Sequence, residues 1–249
     1  MPHIQRCAHH ICRDGPLGGI ETRAIQRSSV QILADTLGYH GEYSLAGELY
    51  RWALAREEES LGKGHPDSLS TFYGIANVLQ NQGRYDNALE WYSRALAGQE
   101  KSLGKDHPDT FLTVYCMASV FRRKGKYDEA LGWYRRALAG QEKFLGKNHP
   151  ATLSTVRGIA SAFQNQGKYD NALEWYRRAL AGQEKVLGMN HPATLSTLRD
   201  MTDVLQRQGK YDVAQECHRR ALAGKERFLG GGHQGTLCTV LAVANVFQD

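Results

Sequence analysis

The sequence predicts an all-α fold: a solenoid of five antiparallel helix pairs followed by one terminal helix. Two marks in the chain and one pattern between them carry this reading. A His-Pro pair stands at His65-Pro66, His107-Pro108, His149-Pro150 and His191-Pro192, and a copy without Pro begins at His233, so the chain repeats every 42 residues. A Gly-x-Tyr recurs in the same register, at Gly41/Tyr43, Gly83/Tyr85, Gly125/Tyr127, Gly167/Tyr169 and Gly209/Tyr211. Between the marks, apolar residues fall on one helical face: Leu153, Val156, Ile159, Ala160 and Phe163, then Tyr169, Ala172, Leu173, Tyr176, Ala179, Leu180 and Leu187. A fixed period in the range of roughly 20 to 50 residues marks an array in which each unit buries its apolar face only against its neighbours.

Taken in order, residues 1–23 match none of this register and carry a Gly-Pro-Leu-Gly-Gly cluster that breaks regular structure, so they read as a poorly ordered leader ahead of a solenoid over 24–249. Within the leader, Cys7, His9, His10 and Cys12 are zinc-type donors, but their spacing is loose and no second ligand pair follows, so no metal site is expected. The first pair is legible but eroded, with Leu33, Ala34 and Leu37 on one helix and Ala46, Leu49, Tyr50, Ala53 and Leu54 on the next. In each pair the first helix should span about 14–16 residues and the second about 18–20, with short connections. Gly167 and its equivalents sit where the first helix must stop, and Pro150 and its equivalents where the next begins, a place where a missing N–H costs nothing.

One feature opposes propensity. Gly98, Gly140, Gly182 and Gly224 lie inside the second helices, each costing up to about 1 kcal/mol relative to Ala. Close approach of the following helix is the expected reason, with a local kink as the alternative. After His233 only a first helix remains, Thr236 to about Gln248, whose apolar face (Leu237, Val240, Val243, Ala244, Phe247) has no partner helix in the sequence, so self-association there is expected.

Composition narrows the function classes. Hydrophobic residues at 41% can build a core, and 23% charged residues of mixed sign exclude the disordered class. The net charge of +5 leans towards acidic partners and is too small to imply nucleic acid. No apolar run approaches the roughly 20 residues of a spanning helix, and the first 20 residues lack a secretory apolar region, so a cytoplasmic location and no membrane partner are expected. The five cysteines do not form a disulfide framework by spacing, since Cys116, Cys217 and Cys238 fall at non-equivalent repeat positions. No nucleophile–base or paired-carboxylate set stands out from the periodic background, so no enzyme and no cofactor are expected. The evenly spaced histidines read as turn residues, and the Trp91-Tyr92, Trp133-Tyr134 and Trp175-Tyr176 pairs as inter-helix packing with Tyr buried and Trp at its shoulder.

Ala160, Phe163, Gly167, Ala172, Tyr176 and Ala179, with Ala118, Phe121, Gly125, Ala130, Tyr134 and Ala137 in register, resemble the tetratricopeptide repeat pattern over about residues 25–249. The second helix is longer than in the usual unit, and the 42-residue form GKY…AL..Y.RAL…EK.LG..HP is similar to the repeats of kinesin light chains. Similar arrays also form the sensor regions of STAND-type nucleotide-binding signalling proteins, which is the alternative setting. No P-loop is present in this chain to support an ATPase part. The resemblance implies a right-handed superhelix, a non-enzymatic scaffold, and a concave groove lined by the first helices.

The second helices are near copies of one another, and divergence gathers on the first helices. The groove residues implied are Tyr73, Asn77, Gln80 and Asn81; then Tyr115, Ser119, Arg122 and Arg123; then Arg157, Ser161, Gln164 and Asn165; then Arg199, Asp203, Gln206 and Arg207. Five arginines there suit carboxylates, and Asn and Gln suit a peptide backbone. The expected partner is a protein or peptide with an acidic segment.

Overall fold

A computed structural model describes residues 22–62 and 64–229, with side chains from Ser29 to Ala223 except Lys63. Among the described residues ten α-helices follow one another: α1 (Thr22–Tyr39), α2 (Tyr43–Leu61), α3 (Leu69–Asn81), α4 (Tyr85–Ser102), α5 (Pro108–Arg123), α6 (Tyr127–Phe144), α7 (Pro150–Asn165), α8 (Tyr169–Val186), α9 (Pro192–Arg207) and α10 (Tyr211–Leu229). No strand occurs among the described residues. The leader, apart from the start of α1 at Thr22, the Cys7/His9/His10/Cys12 group, Cys238 and the Thr236–Gln248 helix with its self-association lie outside the described residues.

Both kinds of turn are built from side chains that the repeat supplies. At the end of α7, Gly167 takes φ 73°, Lys168 N–H donates to the Phe163 carbonyl at 3.0 Å, and Gly167 N–H donates to Gln164 O, which closes the helix with a left-handed cap. At the start of the same helix, His149 Nδ1 accepts the Ala151 N–H at 3.2 Å, as His65, His107 and His191 do in their own turns. These histidines are therefore turn residues, as expected, and their part in the turn is to cap the helix. Thr152 adds a clasp by donating to the Gly146 carbonyl at 2.9 Å, repeated by Thr110 on Gly104 and Thr194 on Gly188. Ser68 stands at that position before α3; its hydroxyl has no hydrogen-bond partner, and the turn there is a 3₁₀ segment, Pro66–Ser68, ahead of the α-helix.

The chain divides into two compact units, residues 1–120 and 121–249. In the first, α1 packs on α2, α2 on α3, and α3 on α4; in the second, α6 packs on α7, α7 on α8, α8 on α9, and α9 on α10. The seams are made of large tyrosines against positions with little or no side chain. Tyr92, Tyr134 and Tyr176 are 0–1% exposed, and the rings of Tyr50 and Tyr134 occupy the space a Cβ would take at Gly74 and Gly158. Between successive pairs, Thr155 donates to Gln141 Oε1 at 2.7 Å and Thr71 to Glu57 Oε1 at 3.0 Å, all four side chains being buried. The tryptophans sit half-exposed at the shoulder, with the guanidinium of Arg94 4.5 Å from the Trp91 ring centre and that of Arg178 5.3 Å from Trp175. Arg178 also pairs with Glu142, and Arg220 with Glu184, linking one second helix to the next. The aromatic pairs thus serve packing.

Gly98 and Gly182 have the packing cause expected of the glycines inside the second helices, with a different partner. A Cβ at Gly98 or Gly182 would run into the side chain of Leu69 or Leu153, which belongs to the preceding helix of the same pair and not to the following one. Leu153 is 2% exposed, so it has no free direction in which to yield. Gly132, by contrast, is a helical glycine with nothing within 4 Å of an added Cβ. Opposite signs follow for one substitution. Gly182→Ala should lower the melting midpoint, because overpacking by about 1–3 kcal/mol exceeds the propensity gain of about 1 kcal/mol. Gly132→Ala should raise stability by roughly 0.5–1 kcal/mol. Thermal denaturation of both variants checks this; a rise in both would mean that the α7–α8 contact is not tight.

Candidate partner-binding site

The variable first-helix residues divide into an uncharged set in the first unit and an arginine-rich set in the second. In the first, the buried Tyr92 hydroxyl donates to Asn77 Oδ1 at 2.5 Å, with Gln80 Oε1 as a second acceptor at 3.0 Å. Tyr73 lies edge-on to Tyr92, ring centres 5.7 Å apart, with its hydroxyl 3.3 Å from Cys116 Sγ. Burial, reinforced by Cys116, pushes the Tyr73 phenol above its ordinary value, and burial does the same to the Cys116 thiol, so both stay protonated near neutrality. Cys116 and the half-buried Cys217 are free thiols. Asn77 and Gln80 thus commit their carbonyl oxygens to the fold, and Asn77 also bonds the Tyr73 hydroxyl. Asn81 is exposed, and Tyr115 and Ser119 are half-buried.

In the second unit, Arg157 presents both Nε and Nη2 to Asp200 Oδ2 at 2.8 Å, and Arg199 Nη2 lies 3.4 Å from Asp200 Oδ1. The Asp200 side chain is only 17% exposed, so this is a largely desolvated pair and Arg157 is already compensated. Arg122 differs: its Nε is buried with no hydrogen-bond partner. Burial, first, and then the Asp200 charge push the Tyr176 phenol up beyond the ordinary range, against the charges of Arg157 and Arg122. Tyr176 itself donates to Gln164 at 2.7 Å. Arg123, Asn165, Arg199 and Arg207 are exposed, and Ser161 is half-buried.

Asp200 is the residue that the groove reading from sequence passed over. Its equivalents are Gly74, Cys116 and Gly158, so a first-helix position that changes from no side chain to a carboxylate was the available signal. His218 is another: it occupies the seam position of Tyr50, Tyr92, Tyr134 and Tyr176, is 3% exposed, and lies 3.3 Å from Gln206 Nε2. Beside it, burial and the Asp200 charge raise the Asp203 carboxyl, against the pull of Arg199, His218 and Arg207.

Helix pairs of fixed length, capped by His and Gly and stacked through buried tyrosines, define a repeat scaffold whose first helices carry the variation. The family model of the tetratricopeptide repeat matches residues 67–113, 110–184 and 152–227, and the chain belongs to that family. Its repeats are of the kinesin light chain-like kind. A solved structure from Podosopora anserina, described as a kinesin light chain with nearly identical TPR-like repeats, shares 25% identity and a TM-score of 0.70 over 84% of this chain and 99% of that one. BtubC (BKLC) from P. vanneervenii has a TM-score of 0.71 at 23% identity, covering 94% of this chain and 89% of that one. A Rap protein complexed with competence and sporulation factor has a TM-score of 0.70 at 15% identity, covering 98% of this chain and 67% of that one. The search of curated proteins gives no match. The family is one of protein–protein interaction scaffolds, and no helix among the described residues is long and apolar enough to cross a membrane.

A pH dependence follows from Asp203. Because its carboxyl is raised in the folded chain, the fold holds that proton more tightly than the unfolded chain does, and stability from this group increases as pH falls through the raised value towards about 4. Asp203→Asn should therefore be more stable than the parent at pH 7, and the gap should close as pH falls to about 4. Urea denaturation at the two pH values checks this; a constant gap would show that Asp203 titrates normally.

Proposed function

We propose that the chain is a non-enzymatic adaptor that holds an acidic peptide segment on the first-helix face of its second unit. The observation that carries the reading is Arg122, a guanidinium whose Nε is buried with no acceptor. A buried donor without a partner is costly, and a carboxylate from outside is the group best matched to an arginine fork. Arg123, Arg199 and Arg207 add exposed positive charge on the same helices, while Asp200 holds Arg157 in place and partly shields it. On the uncharged face of the first unit, the amide donor of Gln80, exposed Asn81, and Tyr73 and Tyr115 suit a peptide backbone and an apolar side chain. The Rap protein solved with competence and sporulation factor shares this fold, which supports a bound factor as a use for such helix pairs.

A fluorescein-labelled peptide of alternating Glu and Ala serves as probe, with anisotropy as readout at physiological salt. Arg122→Glu combined with Arg199→Glu should abolish binding, and Arg157→Glu with Arg199→Glu should do the same with helical content unchanged. Reversal of the exposed second-helix residues Arg135 and Arg177 should matter far less. Asp200→Asn should tighten binding several-fold, because it removes a competing carboxylate and frees Arg157. Equal loss from reversals on both kinds of helix would reduce the effect to bulk charge, and retention of binding by the Arg122/Arg199 variant would remove the assignment.

A further inference from the structure

The first unit holds a cavity of about 470 Å³ lined by Leu69, Tyr73 and Asp67 at the start of α3, Gln99, Ser102 and Leu103 at the end of α4, and Asp109 and Leu112 at the start of α5. Four of these residues differ from their equivalents in the later pairs. Where α6 and α8 carry Phe144 and Val186, α4 carries Ser102, as α2 carries Ser60, so a bulky side chain of the later pairs is here a small polar one. Asp67 and Asp109 stand where the later pairs have Ala151 and Ala193, and Leu112 where the others have Ser70, Ser154 and Ser196.

The chemistry of the lining selects the occupant. Each carboxylate has an imidazole 3.7–3.8 Å away, but those Nδ1 atoms accept backbone N–H groups and so offer the carboxylates no proton. Neither Asp67 nor Asp109 has a lysine or arginine partner among the described residues, so two negative charges stand at one opening. Gln99 is 6% exposed, lines the same cavity, and has an Oε1 with no hydrogen-bond partner. In α6 the equivalent Gln141 is satisfied by Thr155; Thr113 turns back to the Asp109 carbonyl at 3.2 Å and leaves Gln99 without its donor, as Thr197 does for Gln183 in α8. The walls are apolar, and Leu103 and Leu112 remain 46% and 45% exposed. A long aliphatic stem ending in a cation with several N–H donors meets all of these conditions.

We propose that this cavity receives the side chain of a lysine or arginine from a partner polypeptide. It rests on the adaptor reading only in taking the ligand to be a polypeptide: the acidic probe above reports on the second unit, so either assignment can fail while the other stands.

The test uses the full chain, N-acetyl-Gly-Arg-Gly-amide as probe, its citrulline analogue as the neutral control, and agmatine as the free amine. Methyl resonances of Leu69, Leu103 and Leu112 are followed in titration. The arginine tripeptide should shift them saturably, the citrulline tripeptide should bind at least tenfold more weakly, and agmatine should bind no better than the tripeptide. Asp67→Asn with Asp109→Asn should weaken the arginine tripeptide at least tenfold. Ser102→Phe, which restores the side chain of the equivalent Phe144, should fill the cavity and abolish the shifts with unchanged far-ultraviolet dichroism. Equal binding of the citrulline peptide, unchanged binding in the double Asn variant, or retained shifts in Ser102→Phe would overturn the proposal. Agmatine binding more tightly than the tripeptide would overturn the polypeptide assignment.

Discussion

A tyrosine hydroxyl buried by a second helix must find an acceptor, and in this protein the acceptors lie on first helices. Tyr50 donates to Asp35, Tyr92 to Asn77 and Gln80, and Tyr176 to Gln164. Each bond ties the interior of a helix pair to the face its first helix presents, and the rings of Tyr50 and Tyr134 fill the room left at Gly74 and Gly158 on the next first helix. The seam therefore fixes the second helices closely, since a change of volume there is felt at once. First-helix positions that touch the seam only through a polar tip are freer to vary.

Charge on that freer face is not all available for binding. Asp200 fills a position that is Gly in two other pairs, and it compensates Arg157, while the buried Nε of Arg122 has no hydrogen-bond partner. A buried pair of this kind is weak evidence for stability and stronger evidence for a fixed arrangement of the guanidinium. The first unit carries the opposite polarity at its cavity, where Asp67 and Asp109 replace alanines. The same repeat scaffold thus carries opposite charge in its two units.

The helix boundaries were legible because each is marked by a residue with a local reason to be there: His149 as a cap, Pro150 at a first turn, Gly167 at a positive φ. Seam tyrosines and shoulder tryptophans followed from helical spacing alone. Three things did not. The contact of Gly182 with the preceding helix and not the following one depends on where the Leu153 side chain points, which periodicity does not encode. The engagement of Asn77, Gln80 and Gln164 by tyrosines depends on which polar neighbour a hydroxyl reaches across two helices. The ion pair of Arg157 with Asp200 spans 43 residues, and only an in-register comparison of Gly74, Cys116, Gly158 and Asp200 draws attention to it.

The state of Arg122 tests the account most directly. Its Nε–Hε resonance can be followed by nitrogen–proton correlation spectroscopy as the Glu-Ala peptide is added. A saturable downfield shift of that resonance, with slowed exchange of its proton and little change at Arg135 and Arg177, is the predicted result. An unmoved Arg122 resonance at peptide saturation would contradict the assignment of this face as the carboxylate site.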